Sequence, residues 1–184
     1  ITENITVGNG KIFLIGGPCV IESEDLVMTV AEKMKEITDK LNIQYIFKAS
    51  FDKANRSSYS SFRGPGLVEG LEILKAIKDE LQVPVVSDIH DITQIEPAAE
   101  VLDILQIPAF LCRQTDLVYG AAATGKCVNV KKGQFMAPKD MSNVLKKMEE
   151  LGFDVTYIKP LKNGCVTAGE VLKFITENTC LVSL

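Results

Sequence analysis

Residues 83–108 read VPVVSDIHDITQIEPAAEVLDILQIP. Val83-Pro84-Val85-Val86-Ser87 is a short apolar, β-branched run. Asp91 to Glu100 reads as a short helix, and Val101 to Ile107 is a second apolar run that Pro108 ends. A strand, a helix and a strand in so short a stretch predict a parallel β/α/β unit. The alternation continues outward on both sides. Toward the N-terminus, Leu67, Leu71, Leu74, Ile77 and Leu81 mark a helix, a long polar loop runs from Ser50 to Pro65, and Tyr45-Ile46-Phe47 is a strand. Before it, Ser23 can cap a helix whose apolar stripe is Leu26, Val30, Met34, Ile37 and Leu41. Ile12 to Ile15 is a further strand, stopped by Gly16-Gly17-Pro18.

Toward the C-terminus, Asp116 to Thr124 is Ala-rich and helical, Cys127 to Val130 is a strand, and Pro138 to Leu151 is a helix. Val155 to Ile158 reads as a strand, Asn163-Gly164 as a turn, Glu170 to Glu177 as a helix and Leu181 to Leu184 as a last strand. The fold class is α/β with a parallel sheet. Two closures fit the alternation, an open doubly wound sheet or an eight-stranded barrel. The 184 residues fall short of the roughly 200–250 that a complete barrel takes.

Composition removes several functions. A hydrophobic fraction of 46% and a charged fraction of 24% belong to a chain with a real core, not to a disordered one. A net charge of −4 argues against nucleic acid or an anionic membrane as a partner held by bulk charge. No apolar stretch is long enough to span a membrane, and no secretory signal is visible, although the chain starts at Ile1 rather than Met. The cysteines, Cys19, Cys112, Cys127, Cys165 and Cys180, are odd in number and form no C-x-x-C pair. A reduced, cytoplasmic compartment is the expectation, with the ordinary cysteine a small buried hydrophobe.

In either closure, functional loops follow the C-terminal ends of the strands. Lys48, Lys53, Arg56 and Lys131 all fall there, whereas Lys33, Lys35, Lys40, Lys75 and Lys78 lie on helices. Each could be plain surface charge. Together they suit a pair of small phosphate- or carboxylate-bearing ligands. Asp88 and the sole histidine, His90, lie two apart beyond the third strand. They read either as part of a capped helix start, with Asp91 or His90 satisfying backbone donors, or as a polar pair for a sugar hydroxyl or a proton transfer. Gly120, Gly125 and Lys126 match G-x-x-x-x-G-K, but Cys127 follows and the order is helix, loop, strand. That is the wrong context for a phosphate loop, and Gly125 reads as a helix terminator.

Taken together, the strand-end motifs resemble a known family. Gly17-Pro18-Cys19-Val20-Ile21-Glu22-Ser23 is similar to the first motif of the phosphoenolpyruvate-using 3-deoxy-ulosonate phosphate synthases. Phe47-Lys48-Ala49-Ser50-Phe51-Asp52-Lys53-Ala54-Asn55-Arg56-Ser57-Ser58 resembles the 3-deoxy-D-manno-octulosonate 8-phosphate (Kdo-8-phosphate) synthases of lipopolysaccharide biosynthesis. Ser87 to His90, Gln106 to Asp116 and Val128 to Phe135 fit the same family in order and spacing. The resemblance implies a (β/α)8 barrel, of which about six to seven β/α units are present here, and a homo-oligomer, usually a tetramer. It implies a reaction that joins phosphoenolpyruvate to arabinose 5-phosphate and releases phosphate. By that pattern Lys53, Gln106 and Lys131 contact phosphoenolpyruvate, and Lys48, Asn55, Asp88 and His90 line the site and hold the pentose. Arg56 and Ser57 hold its phosphate, and Arg113 reaches a neighbouring subunit's site. Cys19 stands where metal-dependent members carry a ligand for a divalent metal, zinc or iron.

The motif resemblance covers residues from about 5 to 151. Beyond it the family's Thr-Glu-Arg-Gly motif and later histidine, glutamate and aspartate are not found. Leu151 to Tyr157 and Thr176 to Leu184 instead resemble a stretch of the cysteine-desulfurase class of pyridoxal-phosphate enzymes, without a cofactor lysine. The expected division is a partial aldolase-type barrel over 1–151 and an atypical β/α tail over 152–184. Two other readings stay open: the related heptulosonate 7-phosphate synthase, and a truncated, non-catalytic chain that keeps its anion-binding loops.

Overall fold

The computed structural model describes residues 1, 5, 12–150 and 152. Its strands are β1 (Phe13–Gly16), β2 (Gln44–Lys48), β3 (Val85–Asp88), β4 (Ile104–Ile107) and β5 (Cys127–Val130). Its α-helices are α1 (Glu24–Lys40), α2 (Leu67–Leu81), α3 (Ile95–Val101), α4 (Thr115–Ala123) and α5 (Ser142–Glu149). The strand expected at 155–158, the turn at 163–164, the helix at 170–177, the strand at 181–184, and Cys165 and Cys180 fall outside the described residues.

All strand pairings are parallel and the sheet order is β1-β2-β3-β4-β5. That order decides between the two closures. A doubly wound sheet reverses its strand order at a switch point and covers both faces with helices. Here each right-handed crossover steps the same way, so the helices collect on one face. This is barrel-type (β/α) architecture, represented among the described residues by five successive strand–helix units.

The core divides accordingly. Tyr45, Phe47, Val85, Leu105, Ile107, Val128 and Val130 turn toward the helix layer and pack with Leu71, Leu74, Ile77, Val118 and Val144. Ile46, Val86, Ile104 and Cys127 turn to the opposite face and cluster with Ile5, with Phe13 and Ile15 against them. The ordinary reading of a cysteine as a buried hydrophobe holds for Cys112 and Cys127 and not for Cys19, which is exposed.

Three sequence readings are corrected. In α1, Leu26, Ile37 and Leu41 are exposed at 41%, 49% and 62%, and the buried line is Val27, Ala31 and Thr38. The small Val27 and Ala31 let the helix lie close on the sheet, about 100° around from the bulkier stripe. Thr38 tolerates burial because its hydroxyl donates to the carbonyls of Met34 and Lys35. Second, Val101 closes α3 instead of opening a strand, and β4 starts at Ile104. Asp103 marks the join: its carboxylate pairs with Lys78 at 2.9 Å and accepts the Val85 N–H at 3.0 Å. Third, the helix expected from Pro138 opens with a 3₁₀ turn, Pro138–Met141, before α5. Gly125 does terminate α4: it follows the Thr124 cap with φ +70° and donates to the Ala122 carbonyl.

Gly70 faces Phe51 where α2 crosses the end of β2. A Cβ there would lie 2.3 Å from Phe51 Cβ. Gly70→Ala is therefore expected to lower stability by about 1–3 kcal/mol through overpacking, despite the better helix propensity of alanine. The urea midpoint should fall with an unchanged m value.

Candidate functional site: a carboxylate among lysines at the strand ends

The helix-free face carries two layers. The apolar one is Ile46, Val86, Ile104 and Cys127. Two residues further along the same strands, the period-two alternation presents Lys48, Asp88, Gln106 and Asn129 to that face. Register brings Asp88 opposite Gln106 and Gln106 opposite Asn129. The polar layer thus sits at the strand C-termini, where the β/α loops begin.

Asp88 is its centre and is 4% exposed. Its Oδ2 accepts Ser50 Oγ at 2.6 Å, with Lys53 Nζ at 3.4 Å and Lys48 Nζ at 3.8 Å. Its Oδ1 accepts Gln106 Nε2 at 2.5 Å, and Gln106 Oε1 accepts Asn129 Nδ2 at 2.8 Å. A carboxylate only accepts, so Gln106 must turn its NH₂ to Asp88 and its oxygen to Asn129. Burial alone would push the Asp88 carboxyl up. The Lys48 ammonium, the Ser50 and Gln106 donors and the Lys53 charge override it and hold the carboxyl down to about 2. Burial pushes the Lys48 ammonium below its usual range. Asp88 pulls it back, while the nearby Lys53 and Lys131 charges add to the depression.

Lys131 follows β5 and is exposed, yet its charge is felt at Lys48. Cys19 is close enough to act on Lys48 too. It is brought there by the end of β1: Gly17 has φ +153°, and a Cβ on it would lie 2.2 Å from the Lys48 carbonyl oxygen. Only glycine allows the first β/α turn to close so tightly on β2. His90 packs edge-on to Phe51 with ring centroids 6.2 Å apart. Its Nδ1 is buried with no hydrogen-bond partner among the described residues. Burial lowers its pKa, with Lys53 and Arg63 adding to the effect against Asp88 and Asp52, so the ring is neutral at pH 7. The helix start after it is capped by Asp91, not by His90: Asp91 Oδ1 accepts the Thr93 N–H at 2.9 Å.

The loop after β2 carries Asn55, Arg56 and Ser57, all exposed. Arg56 Nε donates to the Phe62 carbonyl at 3.2 Å. Arg56, Ser57, Ser61 and Phe62 line a cavity of about 610 Å³ with Val20 and Glu22. Arg113 is exposed at the start of α4, where Lys147 Nζ holds its backbone carbonyl at 3.0 Å. The structure therefore joins Lys48, Lys53, Asp88 and Gln106 directly, sets Cys19, His90 and Lys131 at their edge, and places Arg56 and Ser57 in a separate loop cavity, with Asn55 exposed on the same loop but not lining it. Arg113 lies apart from both.

Among the described residues no three His, Cys, Asp or Glu side chains converge to hold a metal ion. Cys19 alone does not fit a zinc or iron centre, which takes three or four protein ligands. Sequence reading left two residues out of the site. Asn129 was legible as the period-two position between Cys127 and Lys131. Arg63, which pairs with Asp52, carried no local signal.

The strand ends of this parallel β/α barrel-type scaffold thus gather a buried carboxylate, Asp88, among lysines. The chain belongs to the DAHP synthetase I family, whose model matches residues 1–179 and so runs on past residue 151, where the motif resemblance ends. Similar curated relatives bear the name 2-dehydro-3-deoxyphosphooctonate aldolase. That of Desulfotalea psychrophila is 62% identical over 153 residues, covering 83% of this chain and 55% of the relative. That of a Cyanothece species is 58% identical over 153 residues, covering 83% and 56%. That of Fusobacterium nucleatum is 62% identical over 148 residues, covering 80% and 53%. The chain spans about half the length of the curated relatives it matches.

Proposed function

We propose that this site joins phosphoenolpyruvate to D-arabinose 5-phosphate, giving 3-deoxy-D-manno-octulosonate 8-phosphate and inorganic phosphate, a step toward lipopolysaccharide. The observation that carries the reading is Asp88 held between Lys48 and Lys53 in a polar layer beside an arginine-bearing loop cavity. It is supported by the names of the relatives at 58–62% identity.

In this reading Lys53, Gln106 and Lys131 take the carboxylate and phosphate of phosphoenolpyruvate. Asn55, Asp88 and His90 orient the pentose, and Arg56 with Ser57 grips its phosphate by a two-pronged fork and a hydroxyl. The methylene carbon C3 of phosphoenolpyruvate attacks the aldehyde carbon, the C2–C3 π bond supplying the electron pair of the new C–C bond, and the aldehyde oxygen takes up a proton. Lys48 suits that proton transfer, since burial brings its pKa toward the working range. Water then adds to C2 of the former phosphoenolpyruvate, the carbon that bears the phosphate, and inorganic phosphate leaves from C2 as the C2 ketone forms. Zinc or iron(II) is the metal class a Cys19 thiolate would take, and none of these steps runs through it. A tetramer, with Arg113 serving a neighbouring copy, and a cytoplasmic location complete the reading. Among the described residues no helix is long and apolar enough to cross a membrane.

The test is release of inorganic phosphate from phosphoenolpyruvate, dependent on the added sugar phosphate. The expected result is release with the pentose phosphate. Release with a tetrose phosphate instead selects the heptulosonate synthase. Binding of both ligands without release selects the non-catalytic reading. Arg56→Lys, which keeps charge but loses the fork, is expected to weaken arabinose 5-phosphate about 10-fold or more. A calorimetric titration of the variant against wild type reads it.

A further inference from the structure

We infer that the Asp52–Arg63 ion pair is a clasp that positions the β2–α2 loop for its ligand, so that the two arginines of that loop divide the work. This rests on the reading of Asn55, Arg56 and Ser57 as the sugar-phosphate site.

Residues 54–60 are all exposed, with Tyr59 fully so, and none is anchored in the core. Within the loop the ties are slight: Arg56 Nε to the Phe62 carbonyl, Ser61 N to the Ser58 carbonyl at 3.1 Å, and the Ser58 and Ser60 hydroxyls at 3.1 Å. The base is different. Arg63 Nε and Nη2 donate to the two oxygens of Asp52 at 2.8 and 2.5 Å, a fork-on-fork pair. Beside it the Lys53 N–H donates to the Arg63 carbonyl at 2.7 Å, and the Gly66 N–H donates to the Phe51 carbonyl at 3.0 Å. The loop therefore leaves and returns through one clamped neck.

The fork of Arg63 is already filled by Asp52, so that guanidinium is not the one offered to an anion. Arg56 Nη1 and Nη2 have no acceptor among the described residues and remain available. The side chains of Asp52 and Arg63 are 19% and 52% exposed, and Lys53, next to Asp52 in the chain, sets its Nζ 3.4 Å from Asp88 Oδ2. The clasp thus ties the loop's neck to the edge of the Asp88 cluster. Lys53 Nζ is held by Asp88, not by Asp52, so opening the clasp should loosen the pentose phosphate and spare phosphoenolpyruvate. Asp52 and Arg63 are positioning residues, acting through the order they impose on Asn55, Arg56 and Ser57 before binding.

The experiment uses the whole chain, wild type, Asp52→Asn, Asp52→Glu and the exchanged pair Asp52→Arg/Arg63→Asp, with melting temperatures as a check on folding. Calorimetry with arabinose 5-phosphate and, separately, with phosphoenolpyruvate should show Asp52→Asn weakening the former about 10-fold and the latter less than about twofold. Asp52→Glu or the exchanged pair should recover most of the loss. Trypsin cleavage after Arg56 should accelerate in Asp52→Asn with no ligand present. An Asp52→Asn variant with wild-type pentose-phosphate affinity and wild-type cleavage overturns the clasp, as does equal loss for both ligands. If the wild type binds no pentose phosphate, the proposed function falls, and the cleavage arm alone then decides whether the clasp stands.

Discussion

Asp88→Ala is expected to cost about 3–5 kcal/mol of folding stability, the largest loss of any single change at the site. Asp88, Lys48 and Lys53 have side chains only 5%, 18% and 14% exposed. Removing the carboxylate leaves two half-desolvated ammonium groups facing each other. It also orphans the Ser50 and Gln106 donors. Chemical denaturation at pH 7 reads the effect, and a loss below about 1 kcal/mol would mean that the cluster is solvated and unlike the one described. The pH dependence has a definite sign. The folded carboxyl, at about 2, lies below its ordinary 3.8. Its contribution is fully present above the unfolded value and fades as pH falls from about 4 through 2. Wild type should lose about 2 kcal/mol across that window that Asp88→Asn does not.

Phosphoenolpyruvate affinity is expected to fall most in Lys53→Ala. Lys53 Nζ is largely buried and already orders itself on Asp88, so it meets an anion in a partly dry setting. Truncating such a partner costs about 2–4 kcal/mol of binding, roughly 30- to 1000-fold. Lys131 is exposed, and Lys131→Ala should cost about 1 kcal/mol or less, growing at low salt. The two lysines look alike as loop cations in the sequence; burial separates them. Calorimetric titration of both variants checks the ranking. Equal losses, or a larger one in Lys131→Ala, would place the anion at the outer rim.

What the sequence revealed and what it hid have different physical origins. The strands were legible because buried parallel strands are short apolar runs, and their C-terminal neighbours Lys48, Asp88, Gln106 and Lys131 could be gathered from topology alone. The hydrogen-bond chain from Asn129 through Gln106 to Asp88 was not, because it depends on register between strands. The barrel-type order was not legible from alternation, which predicts only parallel units; the motif resemblance implied it, and strand pairing that steps the same way at every crossover bears it out. α1 misled because its bulkiest residues, Leu26, Ile37 and Leu41, are not its most buried. Spacing by threes and fours locates a helix well and its buried face less well when small residues lie about 100° away. Arg63 was hidden for a third reason. It pairs with Asp52 across the neck of an irregular loop, and no periodicity relates them.

Two anions are expected to bind, one on the Asp88 layer and one on the Arg56 loop. Phosphorus-31 magnetic resonance, with phosphoenolpyruvate and arabinose 5-phosphate titrated separately so that turnover consumes neither, reads both sites. Wild type should perturb both resonances to saturation. Lys53→Ala should move the phosphoenolpyruvate titration to roughly 30- to 1000-fold higher concentration and leave the pentose-phosphate titration as in wild type, and Arg56→Lys should weaken the pentose-phosphate titration about 10-fold and spare phosphoenolpyruvate. Equal weakening of both ligands in each variant, or no saturable shift in wild type, would show that the two anions do not occupy these separate sites.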